Sequence, residues 1–191
     1  MGGVKEDRML MRHRVMRGVG LLALALAAVS LTGSAVAQEK AKGAVITLQK
    51  GGEIRIEFFP EDAPKTVENF VKLASQGFYD GQLFHRVEPG FVVQTGDPQS
   101  KTLKPGDPKL GTGGPGYTIK AEFNKRPHER GVIAMARTRD PDSAGSQFYI
   151  TLAPAKHLDG QYTVFGQVVS GMNAVDSIKV GDRIASIKIT R

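Results

Sequence analysis

The chain has 191 residues, with 26 Lys+Arg against 19 Asp+Glu, 40% hydrophobic residues, 23 Gly and 10 Pro. That length suits one domain, and the composition is too apolar for disorder. Zero Cys excludes disulfides, thiolate metal sites and a cysteine nucleophile, and a net charge of +7 implies a nucleic-acid partner only if it is concentrated.

Much of the charge sits at the start. Residues 1–37 carry Lys5, Arg8, Arg12, Arg14 and Arg17 against Glu6 and Asp7, then the 13-residue apolar run Val19–Leu31 and Ala35-Val36-Ala37. A basic start, a short apolar run and an A-x-A site read as a secretory signal peptide. The run falls short of the roughly 20 apolar residues of a membrane span; an anchor retained through residues 19–31 is the alternative. Cleavage after Ala37 removes 37 of 191 residues and leaves 154, with 21 Lys+Arg against 17 Asp+Glu, a charge of +4. The expected location is outside the cytoplasm, periplasmic first, secreted or membrane-anchored otherwise. A domain of about 150 residues buries roughly two-thirds of its unfolded surface and needs no covalent staple.

Residues 38–43 are a short polar lead-in. Val45–Leu48 and Glu53–Phe58 read as strands joined across Gly51-Gly52, and Ile54, Ile56 and Phe58 alternate with Glu53, Arg55 and Glu57. Pro64 opens a helix in which Val67, Phe70, Val71 and Ala74 share a face, and Gly77 suits its left-handed C-terminal cap. Strands are expected at Leu83–Val87, Phe91–Thr95, Tyr117–Ile119, Gly131–Arg137, Gln147–Leu152 and Val164–Val169. A short helix around Asn173–Ile178 and a closing strand Ile184–Ile189 follow. Many short strands with two helices predict a mainly β fold, a closed antiparallel barrel with helices over its ends. The segment Pro98–Gly116 is the longest irregular stretch, a length usually tied to function or mobility.

Common motifs fail on context. Gly111-Thr112-Gly113-Gly114-Pro115-Gly116 matches G-x-G-x-x-G, yet it leads toward a strand, so no helix N-terminus awaits a pyrophosphate. His13, His85, His128 and His157 include no i, i+4 pair, and Gly145-Ser146-Gln147 begins a strand rather than a nucleophile elbow. The remaining positive charge is dispersed, with mild clusters at Lys101–Lys109 and Lys125–Arg130, which solvated loops explain better than a nucleic-acid surface. In Gln147–Leu152, alternation places Phe148, Ile150 and Leu152 on one face and Gln147 with Tyr149 on the other. By the same rule Met135 and Arg137 share a face opposite Ala134 and Ala136. Singly, Arg86, Gln94 and Gln147 read as polar residues on outer strand faces.

Together these segments carry a resemblance. FHRVEPGFVVQTGDP, GTGGPGY, GVIAMAR, GSQFYI and LDGQYTVFGQVVSGM, in that order from about Ala44 to the C-terminus, resemble the cyclophilin-type peptidyl-prolyl cis-trans isomerases, in particular compact bacterial members. The resemblance implies a closed eight-stranded antiparallel β-barrel capped by two α-helices, with an active groove on its outer face. It implies Arg86 as the catalytic arginine, assisted by Gln94. Phe91, Val92, Tyr149 and Leu158 would line a proline pocket. Gln94, Gln147 and the backbone at Ala136–Arg137 would hold the substrate's main chain. His157 and Tyr162 complete the groove.

Four groove positions depart from the best-known eukaryotic members: Val92 stands for Met, Tyr149 for Phe, His157 for Trp and Tyr162 for His. The pocket stays apolar and aromatic, while loss of the Trp should weaken cyclosporin binding. The implied function is isomerisation of X-Pro bonds during folding of exported proteins. A proline-peptide binding module or holdase with negligible turnover is the alternative, and Arg86 favours the enzyme. Implied partners are proline-containing peptides and folding proteins; no nucleic acid, cofactor or metal is implied, no membrane unless the N-terminal segment stays, and the chain is expected to be a monomer.

Overall fold

The computed structural model describes residues 41–191, so the signal reading over 1–37 lies outside the described residues. Strands β1 (Gly43–Leu48) and β2 (Glu53–Phe58) pair antiparallel with Ile46 opposite Ile54. The turn between them is closed by the Gly51 N–H donating to the Leu48 carbonyl, and Gly51 and Gly52 lead out of it at φ 93° and 101°, positive angles that glycine adopts without strain. Along β2 the apolar residues are buried and the charged ones exposed. Helix α1 (Pro64–Ser75) ends as its glycine predicts. Gly77 adopts φ 66°, its N–H donates to the Ala74 carbonyl, and the Phe78 N–H donates to the Leu73 carbonyl. The face of α1 with Val67, Phe70, Leu73 and Ala74 is buried, and the Phe70 ring lies 5.2–5.6 Å from those of Phe58, Tyr79, Phe148 and Phe165.

The remaining elements are β3 (Arg86–Glu88), β4 (Val92–Thr95), β5 (Val132–Met135), β6 (Phe148–Thr151), β7 (Val164–Ser170), α2 (Met172–Asp176) and β8 (Ile184–Thr190). The eight strands form one antiparallel sheet in the order β3-β4-β6-β5-β7-β2-β1-β8. The sheet curls until residues just ahead of β3 meet the start of β8. Leu83 bridges Arg183, the Phe84 N–H donates to Asp182 O, and the Ile184 N–H donates to Gln82 O. The expected barrel with two helices is thus present, and its seam is this short contact rather than a full ladder between edge strands.

Two packed faces result. The inner face carries the main core, including Ile46, Ile54, Phe84, Phe148, Ile150 and Phe165. Outside, Phe59, Val92, Val132, Ala134, Tyr149 and Val164 form a second apolar cluster, against which Phe91, Ala136, Leu158 and Tyr162 pack half-buried. Two local expectations differ. Tyr117–Ile119 makes only a single bridge, Ile119 to Ala144, because no neighbouring strand runs alongside it. Arg137 does not share the inner face of Met135: β5 ends at Met135, and past Ala136 the chain leaves the ladder, so the alternation stops.

Candidate active site

The polar half of the site is built across three strands. Arg86 on β3 pairs in register with Gln94 on β4, and Gln94 pairs with Tyr149 on β6. Glu88 Oε1 accepts a hydrogen bond from Arg86 Nε at 2.7 Å and lies 2.7 Å from Nη2. Arg86 Nη1 donates to Gln94 Oε1 at 3.2 Å, and Gln94 Nε2 donates to Gln147 Oε1 at 3.0 Å. Gln147 Nε2 donates in turn to the carbonyls of Gly111 and Gly113 at 2.9 and 2.8 Å. Every donor in this line faces an acceptor, so the guanidinium orients each amide beyond it. Arg86 remains 43% exposed, so its charge is held in place yet open to a ligand.

The apolar half lies beside it. Phe91 has the Arg86 guanidinium 5.7 Å from its ring centroid and stacks on His157 at 5.4 Å with a 27° interplanar angle. Tyr149 meets Tyr162 edge-on at 5.9 Å, and the Arg137 guanidinium covers Tyr162 at 4.5 Å. Arg137 Nε donates to Gln161 O at 2.9 Å, fixing that cation on the groove side. Burial pushes the Tyr149 phenol far above its ordinary value, so it stays neutral.

Nine of the eleven sequence-predicted site residues line one open cavity of about 580 Å³: Arg86, Phe91, Val92, Gln94, Ala136, Arg137, Tyr149, Leu158 and Tyr162. Gln147 lines an adjoining cavity of about 600 Å³ that shares Gln94, Gly111, Ala136 and Arg137 with the first. His157 is exposed at the rim, reached through its stack on Phe91. The Gly-rich segment forms a wall of both cavities and is tied down by Asp97. Asp97 Oδ2 accepts the N–H groups of Gly111 at 2.6 Å and Gly113 at 3.2 Å.

Sequence reasoning missed several contributors. Glu88 stood two residues from Arg86 on the same strand face, a signal that was available. His85, half-buried in the wall against Gly111, has both ring nitrogens buried without a hydrogen-bond partner, and burial lowers its pKa, opposed by nearby Asp97. His128 falls between the segments that carry the resemblance, while Glu88 and Asp159 stand inside FHRVEPGFVVQTGDP and LDGQYTVFGQVVSGM without a role of their own in the sequence reading. Among the described residues, no group of three or more His, Asp or Glu is placed to hold a metal ion.

Comparison with known proteins bears on this arrangement. The family model described as "Cyclophilin type peptidyl-prolyl cis-trans isomerase/CLD" matches residues 44–191. A Synechococcus elongatus protein named peptidyl-prolyl cis-trans isomerase is 47% identical over 148 residues, 76% of this chain and 94% of its own length. Peptidyl-prolyl cis-trans isomerase B of Bacillus subtilis is 46% identical over 144 residues, 74% of this chain and 94% of its own. Among solved structures, a Cryptosporidium parvum cyclophilin-type isomerase superposes with a TM-score of 0.69 at 27% identity, covering 80% of this chain and 99% of that one. The crystal structure of the same protein in the presence of the dipeptide Ala-Pro gives a TM-score of 0.67 at 28% identity, covering 78% and 99%.

Proposed function

Because the chain belongs to the cyclophilin-type peptidyl-prolyl cis-trans isomerases, and so accelerates cis-trans exchange of X-Pro bonds, we propose that it acts on proteins folding after export, with Arg86 stabilising the twisted amide. Amide resonance sets a rotation barrier of about 18–20 kcal/mol, and uncatalysed X-Pro exchange takes roughly tens to hundreds of seconds. Twisting the bond breaks the resonance and localises a lone pair on the prolyl nitrogen. A guanidinium beside that nitrogen gains a hydrogen bond only in the twisted state, which lowers the barrier without a nucleophile or covalent intermediate. Phe91, Val92, Tyr149, Leu158 and Tyr162 would hold the prolyl ring while the preceding carbonyl rotates. Gln94, Gln147 and the backbone at Ala136–Arg137 would hold the flanking main chain, and His157 would border the ring's entry. The neighbour studied with Ala-Pro supports a proline-containing peptide as ligand.

The observation that carries this reading is the hydrogen-bonded line Glu88–Arg86–Gln94–Gln147 along one edge of the open cavity that Phe91, Val92, Tyr149 and Leu158 line. It leaves a partly exposed cation beside the apolar side chains of that cavity. The test is an NMR exchange assay on an X-Pro peptide with wild type and Arg86→Ala. Losing one preorganised donor to the transition state should lower kcat about 10²–10³-fold with the fold intact; wild-type turnover in the variant removes Arg86 from the mechanism. The export reading rests on the basic, apolar and A-x-A pattern of residues 1–37. Intact-mass analysis of the periplasmic fraction should find a chain starting at Gln38, whereas an uncleaved chain in the cytoplasm would overturn it.

A further inference from the structure

Tyr149 brings a hydroxyl to the wall of the proposed prolyl pocket, and a buried hydroxyl requires a partner. That partner is His128, itself only 1% exposed, with Nε2 3.0 Å from Tyr149 Oη. On the far side of the ring, Nδ1 lies 2.9 Å from Asp159 Oδ1. The same carboxylate oxygen accepts the His128 backbone N–H at 2.7 Å, and the His128 carbonyl accepts the Ala155 N–H at 2.8 Å. His128 therefore grips two walls at once: Tyr149 through its ring, and the turn carrying Leu158 through its backbone.

The chemistry fixes direction along this line. The backbone and ring N–H groups of His128 hold the Asp159 carboxyl below the usual carboxylate range, so it accepts only. Nδ1–H therefore faces the carboxylate, and Nε2 is left to the Tyr149 hydroxyl 3.0 Å away. The phenol oxygen is thereby held by His128. Tyr162 meets the His128 ring edge-on at 6.4 Å and is capped by Arg137.

We infer that His128, oriented by Asp159, is a positioning residue of the isomerase, fixing Tyr149 and the Leu158 turn as walls of the prolyl pocket. This rests on the reading of that cavity as the prolyl site. The prolyl ring occupies the pocket in the cis, trans and twisted states alike. Support for the pocket therefore strengthens binding of all three, and its loss appears in KM more than in kcat.

The test is saturation kinetics of X-Pro exchange with the full chain and six variants, each checked by circular dichroism. Tyr149→Phe and His128→Leu should each raise KM about fivefold, the effect of one lost hydrogen bond, with a smaller change in kcat. The double variant should raise KM no further than the larger single change, because both remove the same interaction. Asp159→Ala should raise KM likewise, and Asp159→Asn, which keeps an acceptor for Nδ1–H, should recover most of the loss. If His128→Leu does not fold, Tyr149→Phe and the two Asp159 variants decide. KM within twofold of wild type in Tyr149→Phe, effects that multiply in the double variant, or a fall in kcat at constant KM would each overturn the inference. Phe91→Ala separates the two levels. If it raises KM while the His128-linked variants do not, only the role of His128 fails; if it leaves KM unchanged, the prolyl-pocket reading itself fails.

Discussion

Asp97 is the position where a single change should register in both stability and the groove. Its side chain is fully buried and accepts three backbone N–H groups of the Gly-rich segment: Gln99 at 2.8 Å on Oδ1, with Gly111 at 2.6 Å and Gly113 at 3.2 Å on Oδ2. Gly113 approaches so closely that a Cβ there would lie 2.1 Å from Oδ1. Hydrogen bonds to a charged acceptor are worth about 1.5–3 kcal/mol each. In Asp97→Ala the Gln99 and Gly111 donors, near the surface, regain water, so the net loss should be about 3 kcal/mol. In a domain of this size that lowers Tm by roughly 6–12 °C. Asp97→Asn should lose nearly as much despite its shape, because half its head is an N–H₂ group facing other donors. The segment's carbonyls anchor Gln147, so both variants should also raise KM. Urea unfolding followed by circular dichroism measures the first effect and peptide exchange the second. An Asn variant within about 0.5 kcal/mol of wild type would refute the reasoning, since the acceptor-only character of the carboxylate would then be irrelevant.

Gly96→Ala should destabilise the fold by about 3 kcal/mol or more, because φ is 96° and the new Cβ would sit 2.4 Å from the Ser146 carbonyl oxygen; thermal melting checks it. The folded state favours neutral His85, whose pKa lies below its unfolded value of about 6.5. The stability this gives is present above pH 6.5 and lost as pH falls from there through the folded pKa. Urea unfolding at pH 7.5 and 5.5 should show that loss shrinking in His85→Gln, and an unchanged slope would refute it. His157→Trp should tighten cyclosporin binding about tenfold in a titration, by enlarging the aromatic surface already stacked on Phe91.

What was legible in the sequence was whatever local periodicity or turn chemistry dictates. The Gly51-Gly52 hairpin, the alternation of Ile54, Ile56 and Phe58, and the Gly77 cap each rest on a few adjacent residues, and each is present. Arg137 was misplaced because alternation was extended past the last paired residue, where no ladder enforces it. Tyr117–Ile119 looked like a strand by composition, but a strand needs a neighbour, and this stretch finds one residue of it. The partnership of His128 and Asp159 joins residues 31 apart through strand ends and turns, so no spacing rule reveals it. The groove residues were legible as a set only through family resemblance, since individually they look like ordinary outward-facing polar side chains.

The register of the sheet explains why charge and ring-binding surface stand side by side. Arg86, Gln94, Tyr149 and Ala134 occupy one cross-strand row over β3, β4, β6 and β5. Adjacent strands lie about 4.8 Å apart, so the row sets the backbone of Arg86 roughly 10 Å from that of Tyr149, with Gln94 between them. The neighbouring row pairs Val87, Val93, Ile150 and Ile133, of which Val93, Ile150 and Ile133 are buried in the main core. A slip of one residue would turn the site inward and the core outward together. The energy that holds the core in register is therefore the same energy that holds Arg86 beside the pocket, and no separate scaffold is needed for the site.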